Sequence, residues 1–94
     1  MEHRNGITLR APDEAFWVVV EPWASEFIVR IGEECQVVAL HPGVPPSFGA
    51  ELADGRLVLW VNEAGATFEF WRAGKLELSM PVPIPSLPPG KSEA

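Results

Sequence analysis

Along most of this chain apolar residues recur every second position rather than every third or fourth, and Val, Ile, Trp and Phe dominate the runs. That pattern predicts strands at Ile7–Arg10, Phe16–Glu21, Glu26–Ile31, Cys35–His41, Arg56–Val61, Ala66–Arg72 and Lys75–Met80. Turn-forming residues separate them: Ala11-Pro12-Asp13, Pro22, Gly32-Glu33-Glu34, His41-Pro42-Gly43, Asp54-Gly55, Asn62–Gly65 and Ala73-Gly74. Phe48–Ala53 is divided in its signals. Ala50, Glu51, Leu52 and Ala53 favour helix and Ser47 suits a cap, but Gly49 weakens a helix. The Asp54-Gly55 pair that follows is a two-residue hairpin signal, so the segment reads as an edge strand.

Short strands at regular spacing point to an all-β domain: a single antiparallel β-sandwich, jelly-roll-like or immunoglobulin-like, of seven to eight strands, with a small open β-barrel as the alternative. Asn62–Gly65 and Trp71–Gly74 each place Gly fourth, which fits a three-residue hairpin closed by a glycine bulge. In that register Trp60 faces Phe68 and Val58 faces Phe70, while Phe70 faces Leu76 and Phe68 faces Leu78. The three strands from Arg56 to Met80 would form one meander with an uncharged side. Leu57, Leu59 and Val61 fall on its other side, left for the rest of the chain or a second copy to cover. A slip of one residue would turn Trp60 outward instead. Another hairpin is expected around Gly32-Glu33-Glu34, and Phe16–Val20, apolar throughout, reads as a strand covered on both faces. Trp17, Trp60, Phe68 and Phe70 are assigned to the core; Trp23 and Trp71 are the two tryptophans expected near the surface.

After Met80 the pattern changes. Five prolines between Pro81 and Pro89 impose extended backbone, with Val82, Ile84 and Leu87 between them. The division is therefore a β domain over 1–80 and a proline-rich strap and tail over 81–94, with 90–94 expected to be disordered. The Pro85-Ser86-Leu87-Pro88 match to a PxxP ligand lacks its basic residue at the usual distance.

Length and charge narrow the function classes. Ninety-four residues make one domain. The net charge of −6, with seven scattered Lys and Arg, provides no basic stripe for phosphates, so neither nucleic acid nor an anionic membrane surface is an expected partner. The longest apolar runs, Ala15–Val20 and Leu57–Val61, are far below the ~20 residues of a spanning helix. No secretory leader is apparent, and the single cysteine, Cys35, forms no internal disulfide; the expected location is cytoplasmic.

Catalytic constellations are sparse. Cys35 and His41 point to one side of a strand but lie roughly 20 Å apart, beyond the reach of a nucleophile–base pair. His3 and His41 have no ligand companions, so no metal and no cofactor is expected. Glu33-Glu34 reads as a solvated turn. Glu69 and Glu77, with Trp71 as a stacking platform and Trp23 nearby, are the candidate ligand-binding residues; the plainer reading is a half-polar sheet face. The expectation is a non-catalytic module that mediates protein–protein interaction or self-association, a homodimer included, through a sheet face. The alternative is a small-ligand or carbohydrate-binding module using exposed Trp and Glu, and a small β-barrel enzyme ranks last.

Overall fold

The computed structural model describes residues 1–86. The chain is all-β, with no helix among the described residues: β1 (His3–Arg10), β2 (Phe16–Glu21), β3 (Ser25–Val29), β4 (Glu34–His41), β5 (Phe48–Ala53), β6 (Arg56–Val61), β7 (Thr67–Arg72) and β8 (Lys75–Ser79). They form two four-stranded sheets, β1-β4-β7-β8 and β3-β2-β6-β5, the arrangement expected of a small β-sandwich. One core lies between them. Leu9, Cys35, Val37, Ala39, Phe68 and Phe70 reach it from the first sheet, and Val18, Val20, Val29, Leu59 and Val61 from the second. Phe27 of β3 stacks on Phe70 of β7 with ring centroids 3.9 Å apart, joining the layers at the centre.

The edge strand Phe48–Ala53 forms as read from the sequence, closed onto β6 by Asp54-Gly55, both at positive φ. Pairing elsewhere departs from the expected meander. Arg56–Val61 does not pair with β7, the strand that follows it, but lies between β5 and β2, and its pairing with β2 is parallel, so the domain is not purely antiparallel. The five residues after β6 span the ~10 Å between sheets easily at ~3.3 Å each. Placing β6 beside β2 puts the two most apolar runs of the second sheet at its centre. This exchange inverts β6. Leu59 and Val61 enter the core, Leu57 packs against it, and Val58 and Trp60 face outward. The chain itself thus covers the residues left open for a second copy.

The expected hairpin around Gly32 also opens out, because β3 and β4 belong to different sheets. At Ala73-Gly74 both residues have positive φ and Arg72 pairs with Lys75, a two-residue turn rather than the three-residue bulged one. Phe70 therefore faces Leu78, not Leu76, and the irregularity falls at Glu77, which no residue of β7 opposes.

Residues 80–84 run beside the start of β7. The N–H of Met80 donates to Phe68 O at 2.8 Å, that of Ile84 to Ala66 O at 2.9 Å, and that of Gly65 to Ile84 O at 2.7 Å. The expected disorder over 90–94 and the second proline of the PxxP match lie outside the described residues.

Candidate functional site

The four residues singled out from the sequence do not form one site. Trp71 and Glu69 share the outward side of β7, where the indole Nε1 of Trp71 donates to Glu69 at 3.0 Å. The same oxygen, Oε1, also accepts from Arg4 at 2.8 Å, so Glu69 is tied within the first sheet. Glu77 instead accepts from Arg72 Nε at 2.7 Å. Trp23 is elsewhere: it tilts against Phe68 with centroids 4.8 Å apart, and its Nε1 donates to Val82 O at 2.7 Å. Trp23 and Trp71 are both half-buried.

Arg72 holds a second group together. Its guanidinium reaches Glu77, Glu33 at 2.7 Å and the carbonyl of Ile28 at 2.9 Å, and lies over the Phe70 ring. The bond to Glu77, helped by charge from Glu33, holds Arg72 more firmly protonated. Glu33 lies below the usual carboxylate range, chiefly because the Arg30 N–H donates to it and also because of Arg72. Beside them the Cys35 thiol is fully buried, and desolvation pushes its pKa up. This cluster ties the two sheets together at one rim, and its polar atoms are mutually satisfied.

At the opposite end, His41 at the close of β4 meets Ser47 and Glu63 of the neighbouring loops, a set of residue types that invites a catalytic reading. Their hydrogen bonds argue otherwise. Nδ1 of His41 accepts the N–H groups of Gly43 and Val44 at 2.9 and 3.0 Å, so its proton sits on Nε2 and goes to Ala64 O at 2.9 Å. Ser47 donates its hydroxyl to Glu63 at 2.6 Å and its N–H at 2.8 Å. Burial pushes Glu63 up, but these two bonds outweigh it and hold the carboxyl below its ordinary range. Base and nucleophile are each committed elsewhere, and the group serves as a loop clasp. Among the described residues no set of three or more His, Cys, Asp or Glu is placed to hold a metal ion.

The outward side of the second sheet is different. Trp17 of β2 and Trp60 of β6, both assigned to the core from their strand-internal positions, are 45% and 42% exposed and share this side. Trp17 stands opposite Arg56, and Trp60 opposite Glu21. Four residues of parallel strand therefore separate the indoles, roughly 13 Å along the sheet. Val19 and Val58, paired with each other, form the floor between them, with Glu26 on β3 and Glu51 on β5 to either side. A shallow depression of about 480 Å³ opens beside this floor, lined by Val19, Val58, Glu21, Glu26, Asp54 and Arg56 among others and by neither indole. Arg56 pairs with Glu26 at 3.2 Å, and Trp60 Nε1 is 3.4 Å from Glu51. Sequence reading missed this face because apolar alternation marks both sides of β2 and β6 equally. A usable signal was the charge in the strands beside them: Glu26 and Glu51 fall on the same side as the two indoles. Compared with known proteins, the chain matches no family model, no curated protein and no solved structure.

Proposed function

We propose that this chain is a non-catalytic binding module that docks a protein partner on the outward face of its second sheet. The observation that carries the reading is the pair of exposed indoles, Trp17 and Trp60, on one side of a two-strand apolar floor. Large aromatics are the side chains that anchor protein interfaces, and contiguous exposed apolar surface on a small domain marks a contact. The other polar clusters support the same conclusion, since the side chains of Arg72, His41 and Ser47 are already engaged within the fold. A single buried thiol fits a reducing, cytoplasmic setting.

Site-specific photocross-linking tests the reading. A photoreactive residue at Ala53, on the same face opposite Arg56 and leaving both indoles in place, is expected to capture a defined partner, while the same residue at Arg4, on the outer side of the first sheet, captures none. Equal capture from both faces, or none from position 53, overturns the proposal. A glycan reading shares the indoles: a flat face with two of them suits stacking on sugar rings. Tryptophan fluorescence against a glycan panel separates the two. A saturable response that disappears in Trp17→Ala/Trp60→Ala establishes a sugar ligand in place of a protein.

A further inference from the structure

We infer that the partner segment on this face is cationic, an extended stretch with Lys or Arg side chains over Trp17, over Trp60 and above the carboxylates between them; the inference rests on reading the face as a protein-docking surface. Charge complementarity carries it. Among the described residues, Glu21, Glu26 and Glu51 lie on the face and Asp54 at its rim, and Arg56 beside them already pairs with Glu26. Lys75 sits on the β7–β8 turn of the other sheet. A second copy of the chain would bring like charges together here, and the whole molecule carries −6. Anionic partners are repelled for the same reason.

The aromatic groups select the same chemistry. An indole face attracts a guanidinium or ammonium group, more strongly where apolar neighbours exclude water. Val19 and Val58 supply that setting. Glu21 and Glu51 keep acceptor capacity, since each receives one bond, from the Ala24 N–H and from Trp60 Nε1. The ~13 Å between indoles equals about four residues of extended chain, whose alternate side chains face one way. Basic residues at i, i+2 and i+4 therefore match Trp17, the central carboxylates and Trp60.

The experiment titrates isotope-labelled full-length chain with a synthetic Gly-Arg-Ser-Arg-Ser-Arg-Gly peptide and with its Glu-for-Arg counterpart, followed by amide and indole NMR shifts. The expected result is a set of changes confined to Val19, Glu21, Glu26, Glu51, Val58 and the two indoles, with no response to the acidic peptide. Binding should weaken roughly tenfold in Trp17→Ala/Trp60→Ala, which leaves net charge unchanged. It should also weaken in Glu21→Gln/Glu51→Gln, which keeps both indoles; dispersed spectra confirm that either variant is folded. Shifts spread over carboxylates of both sheets and unaltered by the tryptophan variant overturn the inference, as does a dimer formed through this face. Those results leave the docking surface standing if position 53 still cross-links a partner, whereas failure of that cross-link removes the docking reading itself.

Discussion

Replacing Leu59 with Ala is expected to cost more than replacing Trp60, although the tryptophan loses many more atoms. Leu59 is 1% exposed between Val20 and Ala50, at the centre of the second sheet. Three carbons leave the core, a transfer loss of roughly 2.4 kcal/mol at ~0.8 per methylene. The incompletely filled cavity raises the total to about 3–4 kcal/mol. For a domain of this length that lowers the melting temperature by roughly 15–25 °C. Trp60 is 42% exposed on an open face where water fills the space it vacates, so its removal should cost only about 1–2 kcal/mol. Urea unfolding of both variants, followed by far-ultraviolet circular dichroism so that loss of an indole does not alter the signal, measures the order. If Trp60→Ala destabilises as much as Leu59→Ala, β6 faces the other way and the docking surface does not exist.

The loops and the rim give four further outcomes. Gly65 has φ +89°, and a Cβ there would stand 3.2 Å from His41 Nε2, so Gly65→Ala should lower the urea midpoint by the equivalent of about 2 kcal/mol. Gly55→Ala, at φ +75° with open space around it, should cost only about 1 kcal/mol. The Glu63 carboxyl sits below its ordinary range in the folded chain; its contribution is complete above the unfolded value near 4.3 and is lost as pH falls through the folded one. Stability of the native chain should therefore fall on acidification below about pH 4.3, and Glu63→Gln should flatten that limb in a series of denaturant melts. Finally, Cys35 is fully buried with its pKa raised, so a disulfide reagent at mildly alkaline pH should label the folded chain at the rate of global opening and the denatured chain at once. Rapid labelling of the folded protein would show that the Arg72 rim is open.

The alternation of apolar residues was enough to show that the chain is built of strands, and the Asp54-Gly55 pair that Phe48–Ala53 ends in a tight hairpin. Both are local: period two follows from the pleat, and positive φ from two adjacent turn residues. The charge of −6 and the scattered cations likewise came from the sequence alone. What it left open was partnership. Arg56–Val61 is apolar on both sides, so nothing within it says which side is core, and it fits a meander with β7 as well as it fits the gap between β2 and β5. Only assembly of the two sheets decides, because burying Leu59 and Val61 together with Val18 and Val20 requires the parallel neighbour β2. That long-range choice turned Trp17 and Trp60 outward and, by placing Glu26 and Glu51 beside them, made an acidic aromatic face from residues 17 to 60 that no local pattern connects.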